Sequence, residues 1–129
     1  MKNKLILTLS LIMFTASLIA QESNAVSSKS NQILGTWKID LRPTPDAEGY
    51  YQEFAVTKIS DNVLEGTFYG STISNGLVNF NWNRIYFAFS TSDTSSDYYH
   101  SGYVEEGKVH GISYCPNRNF TAPWTGVKK

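Results

Sequence analysis

From residue 33 onward the chain reads as a series of strand-length runs, rich in aromatic and β-branched residues and cut by short turns. The runs are Ile33–Leu41, Tyr50–Ile59, Val63–Gly70, Leu77–Trp82, Ile85–Thr91, Asp97–Glu105, Lys108–Cys115 and Phe120–Lys128. None shows the apolar recurrence at i, i+3, i+4 and i+7 that a helix needs, whereas Tyr, Phe, Val and Ile suit a pleated, half-buried surface. Most links are short, such as Ser60-Asp61-Asn62, Trp82-Asn83-Arg84, Glu106-Gly107 and Pro116-Asn117-Arg118-Asn119. Arg42–Gly49, with two prolines, and Ser92–Ser96 are longer. Links this short pair each strand with the next, because a parallel return needs a dozen residues or more. A meander of about eight twisted strands loses its exposed edges by closing on itself. The expected fold is therefore all-β, a single up-and-down antiparallel barrel over residues 32–129. A short piece at Ser71–Ser74 is expected to pair with Leu77–Phe80 across Asn75-Gly76, a favoured tight-hairpin dipeptide.

The start of the chain has a different character. Lys2 and Lys4 precede an uncharged apolar run from Leu5 to Ile19, and the sequence turns polar at Gln21-Glu22-Ser23-Asn24. Basic start, apolar run and small-residue exit form the pattern of a secretory signal peptide. The run is short for a bilayer core ~30 Å thick. Cleavage after Ala20 or after Ala25 fits, and no cysteine nearby supports a lipid anchor. Residues 1–20 are thus expected to be a leader, and residues 21–31, polar and of low complexity, a disordered mature N-terminus. The mature protein is expected to be secreted or periplasmic, with no membrane segment.

The whole chain has eleven basic and eleven acidic residues, and loss of Lys2 and Lys4 leaves it mildly acidic. With no Lys/Arg cluster, neither nucleic acid nor an anionic membrane has electrostatic support as a partner. Cys115 is the only cysteine, so no disulfide within the chain can staple the fold. It reads most simply as a small buried hydrophobe. Stability must come from packing, and the packing material is aromatic.

A two-residue turn at Glu106-Gly107 fixes the faces of one hairpin. It sets Glu105 opposite Lys108, Tyr103 opposite His110 and His100 opposite Ser113. Because side chains alternate, His100, Gly102, Val104, Val109, Gly111, Ser113 and Cys115 share one face, and Tyr99, Tyr103, His110, Ile112 and Tyr114 the other. The two histidines fall on opposite faces, which argues against a shared metal site or a two-histidine acid–base pair. His100 is the better candidate for a functional role, because the glycines beside it leave room for a ligand.

Gly35-Thr36-Trp37 on the first strand, followed by a meander, resembles the opening of the calycin group, the lipocalins and avidins. Leu64-Glu65-Gly66-Thr67-Phe68 looks like the avidin third strand, and Ser101-Gly102 and Phe120-Thr121-Ala122-Pro123-Trp124 follow in similar order. The resemblance spans roughly residues 33–127 and implies a barrel with Trp37 and Trp124 as structural aromatics at its end. It departs from the avidins where biotin is held. Ile39, Phe68 and Gly70 stand where polar partners are needed, and His100 replaces an aromatic wall residue. Each unmade buried hydrogen bond costs roughly 1–3 kcal/mol, which excludes biotin as a tight ligand. The aromatic-Pro-Trp ending also resembles small secreted proteins of Gram-negative bacteria that have no assigned function.

Three functions remain. The leading expectation is a non-catalytic barrel that binds a small apolar or aromatic ligand, with His100, Tyr99, Trp82 and Phe89 as its wall and no cofactor. The second is a protein-interaction or self-association module using exposed Tyr and Phe. The third is a hydrolytic or redox enzyme pairing His100 with Ser113 or Cys115, although no carboxylate on that face orients the histidine. The Asp93–Asp97 loop lacks the glycine and terminal glutamate of a calcium loop.

Overall fold

The structure, a computed structural model, describes residues 2–129, with side chains from residue 18. Helix α1 (Lys2–Ile33) precedes nine strands: β1 (Gly35–Asp40), β2 (Tyr51–Ser60), β3 (Val63–Phe68), β4 (Ser71–Thr72), β5 (Ser74–Asn79), β6 (Ile85–Ser92), β7 (Asp97–Glu105), β8 (Lys108–Cys115) and β9 (Phe120–Lys128). Every pairing is antiparallel. Strands β1, β2, β3, β5, β6, β7, β8 and β9 pair in that order and β9 returns to β1, so eight strands close a barrel. The two-residue β4 is an extra strand on β3. The expected meander and closure are both present.

The Glu106-Gly107 hairpin has the expected register: Glu105 pairs with Lys108, Tyr103 with His110 and His100 with Ser113. Both turn residues have positive φ (51° and 73°), the backbone that matches the twist of the flanking strands. Asn75-Gly76 behaves otherwise. It makes no hairpin; it forms an irregularity inside β5, where the register slips between Ser74 and Leu77. The tight turn is Tyr69-Gly70, again with two positive φ values, and it folds β4 back on β3. Gly76 is needed at the slip because a Cβ there would overlap the Leu64 carbonyl. Turn-forming residues therefore served a bulge, which demands the same left-handed backbone as a turn.

Alternation sends Ile85, Phe87 and Phe89 of β6 inward and Tyr86 outward. At one end, Ile33 and Trp37 are fully buried and the Trp37 indole N–H donates to the Ile33 carbonyl at 2.9 Å. This end carries the last turn of α1, whose carbonyls lack helical partners. Lys128 Nζ donates to the carbonyls of Asn31 (2.9 Å) and Gln32 (3.1 Å), and Lys29 Nζ donates to the Phe80 carbonyl at 2.7 Å. A cation at a helix C-terminus also meets the negative end of the helix dipole. The structure thus continues the helix through residues 21–31, where composition predicts no order. The tie is made by Lys29, Ile33 and Lys128, and local composition does not reveal it. The expected leader, residues 1–20, lies mostly outside the described side chains. Among the described residues, no helix is long and apolar enough to cross a membrane.

Trp124, expected at a barrel end, sits at the middle of β9. Its ring packs against Phe54 (centroids 6.0 Å), Phe68 (5.2 Å) and Phe87 (6.1 Å). It reaches that place because Gly111, its partner on β8, has no side chain, and a Cβ there would collide with the indole. Fully burying one such aromatic contributes about 1.5–3 kcal/mol, so the filled interior replaces the missing disulfide.

Candidate functional site

The strand ends opposite the helix are open. Register places His100 of β7 between Phe89 of β6 and Ser113 of β8. The imidazole lies against the rings of Phe68 (centroids 4.3 Å) and Phe89 (4.8 Å). Its Nε2 bonds Thr91 Oγ1 at 2.9 Å and its Nδ1 bonds Ser113 Oγ at 2.7 Å. The Trp124 indole N–H donates to the same Ser113 oxygen at 3.0 Å. Thr91, His100, Ser113 and Trp124 form one continuous chain of hydrogen bonds, nearly all of it buried. Burial lowers the His100 pKa from 6.5 to about 4, so the imidazole is neutral at ordinary pH.

Above this chain lies a cavity of about 620 Å³ that opens to solvent. Phe68, Thr91, His100 and Ser113 line it, together with Leu41, Tyr98 and Phe120 nearer the mouth. At the rim the Tyr50 and Tyr69 hydroxyls hydrogen-bond each other. The facing side of the rim carries Asp93. Its carboxylate accepts from the backbone N–H groups of Ser95 and Ser96, both at 2.8 Å, and from the Tyr98 hydroxyl at 3.1 Å. Those backbone bonds hold the Asp93 carboxyl below its usual range. Arg118 approaches the same carboxylate at 3.9 Å. The Asp93–Ser96 turn thus serves as a rim brace, built from the loop's own N–H groups.

Of the four residues expected to form a ligand wall, His100 and Phe89 are together inside the barrel. Tyr99 and Trp82 are not. Tyr99 follows the strand alternation to the outer surface, where its ring neighbours Tyr114 at 6.3 Å. Trp82 falls in the link between β5 and β6, at the helix end, and is 64% exposed. Of the four, only His100 lines the cavity; Phe89 packs against the imidazole without lining it. Thr91, Phe68 and Tyr98 are among the wall residues that the sequence did not single out. Thr91 was within reach of the β6 alternation, since it continues the inward series Phe87, Phe89; its meeting with His100 depended on a longer loop of unknown register.

His110 is outside, stacked on Tyr103 at 4.9 Å. The two histidines do lie on opposite faces. Among the described residues no group of three or more His, Cys, Asp or Glu side chains could hold a metal ion. Cys115 is buried and unpaired. The Ser113–His100 pair has the distance of a nucleophile and base, but the residue on the far nitrogen is a neutral hydroxyl, and a base with a pKa of about 4 activates an alcohol weakly.

The chain matches no family model, no curated protein and no solved structure.

Proposed function

We propose that the protein is a secreted, non-catalytic barrel of calycin type that holds a small molecule in its open end. The observation that carries this reading is the asymmetry of the interior: one end is filled by Trp37 and Ile33, and the other keeps a cavity of about 620 Å³. That volume lies inside the ~300–1,000 Å³ range of small-molecule sites. The wall combines apolar rings, Phe68 and Phe120, with a few converging polar groups, Thr91, His100 and Ser113, the usual composition of such sites. Biotin is a poor candidate, because Ile39 and Phe68 stand at the positions where the avidins that this chain resembles carry polar partners for the ureido group. Catalysis is disfavoured by the weak basicity of His100 and the absence of a charged partner on its second nitrogen.

Native mass spectrometry of protein purified from its own host tests the reading. A retained small molecule that is lost in Ala122→Phe, which narrows the cavity, is the expected result. An empty protein, with a cavity that takes up no probe, would sink it.

A second reading rests on the outer face, where Tyr86, Tyr103, His110 and Ile112 border a shallow groove of about 400 Å³. Apolar surface of this kind favours self-association. Size-exclusion chromatography at high concentration decides it, and a strict monomer removes it.

A further inference from the structure

The polar floor of the cavity has a countable hydrogen-bonding capacity. Ser113 Oγ carries one proton and two lone pairs, and one lone pair is taken by the Trp124 N–H. A neutral imidazole has one N–H and one bare nitrogen. With the proton on Nε2, that N–H donates to Thr91, the Ser113 hydroxyl donates to Nδ1, and the Thr91 hydroxyl proton is left over. With the proton on Nδ1, that N–H donates to Ser113, the Thr91 hydroxyl donates to Nε2, and the Ser113 proton is left over. Either way the floor has one spare hydroxyl proton. The imidazole tautomer decides whether Thr91 or Ser113 offers it.

Formal charge is scarce around it. The charged residues lining the cavity are Asp93 and Arg118, which face each other at the rim, and Asp93 is further occupied by two backbone N–H groups and a tyrosine. An ion carried down to the floor would lose its water and gain no counter-charge, which disfavours its entry.

We propose that the ligand is a neutral, flat molecule bearing a carbonyl oxygen, which accepts the one spare hydroxyl proton of the Thr91–His100–Ser113 chain while its rings lie against Phe68. This rests on the small-ligand reading above and adds the ligand's chemical class. The chain serves as an adaptable donor: a carbonyl arriving beside either hydroxyl is met by the tautomer that frees that proton, the imidazole losing a proton at one nitrogen to solvent and regaining one at the other while the Thr91 and Ser113 O–H bonds rotate. No heavy atom has to move.

The test is a matched panel titrated calorimetrically into the purified protein: 2-acetylnaphthalene, 2-ethylnaphthalene, 2-naphthoate and 2-(aminomethyl)naphthalene. The ketone is expected to bind about five- to tenfold more tightly than the ethyl compound, the worth of one net hydrogen bond, and more tightly than either ion. Nitrogen-15 spectra of the His100 ring should move toward a single tautomer with the ketone and stay unchanged with the hydrocarbon. Ala122→Phe should weaken both; should that variant not fold, Ser71→Trp at the mouth replaces it. Equal affinity of ketone and hydrocarbon, both blocked by the filled cavity, overturns this inference and leaves the pocket standing. Tightest binding of an ion overturns it as well, and points to Arg118 or Asp93 as the recognising group. Binding of none of the four, with nothing retained in native spectra, overturns both readings.

Discussion

The two ends of the barrel draw on one supply of aromatic residues and use it differently. At the helix end, the indole of Trp37 and the side chain of Ile33 meet with no exposed surface, and the single polar hydrogen is spent on a backbone carbonyl. At the open end, Phe68 and Phe89 flank an imidazole whose two nitrogens are held by hydroxyls on neighbouring strands. Apolar side chains close-pack by sliding past one another. A hydrogen-bonded chain fixes its own spacings and resists that collapse, since losing a partner inside costs more than losing a contact. A polar string anchored in the wall keeps space that rings would otherwise fill.

This contrast breaks most plainly by truncation. Trp37→Ala is expected to cost about 3–5 kcal/mol in urea unfolding, as for other large buried aromatics. Phe120→Ala at the mouth, where the ring is 45% exposed, should cost under about 1 kcal/mol, in the range of surface changes. Equal losses would mean that the ends do not differ. A smaller effect tests the polar string itself. Ser113→Ala strands the Trp124 N–H and one His100 nitrogen, and should cost about 1–3 kcal/mol, with an altered Trp124 emission spectrum as the accompanying signal.

The pH response sharpens the comparison further. His100 has a folded-state pKa of about 4 against 6.5 when unfolded. The unfolded chain therefore takes up a proton first as pH falls. The stability this contributes is complete above pH 6.5 and is lost progressively between 6.5 and about 4. Unfolding midpoints measured across that window should fall in the wild type and fall less in His100→Gln; parallel curves would show that His100 is not the titrating group. The smallest change is expected from Lys29→Ala. It removes a bond to the Phe80 carbonyl at the partly exposed helix end and should cost under about 1 kcal/mol by thermal denaturation.

The barrel and much of its interior could be read from the chain because the signals were local. Glu106-Gly107 set a register that carried His100 to Ser113 and separated it from His110, and β7, β8 and β9 have the boundaries that the turn residues indicated. The site was less legible because it joins three strands. Thr91 meets His100 across a hairpin whose loop, Asp93–Ser96, gains its shape from the carboxylate of Asp93 capping its own backbone. Tyr99 has the ring chemistry of a wall residue but the outward parity of its strand, and Trp82 lies past the end of β5, in the link to β6. Asn75-Gly76 shows that a dipeptide states a backbone conformation and leaves open what that conformation is for. The tie made by Lys29, Ile33 and Lys128 joins residues 51 and 97 positions apart in sequence and leaves no local trace.

The seam between β1 and β9, which aligns Trp37 with Lys128 and Asp40 with Thr125, couples the first strand synthesised to the last. A chain emerging N-terminus first can form hairpins one by one, yet its circle stays incomplete until the final ten or so residues arrive, and such distant pairings form late. Until then the two outermost strands of the growing meander keep one edge each unpaired. The same arrangement makes the C-terminal strand indispensable: clipping it would bare β1 and β8 as unpaired rims open to pairing with other chains.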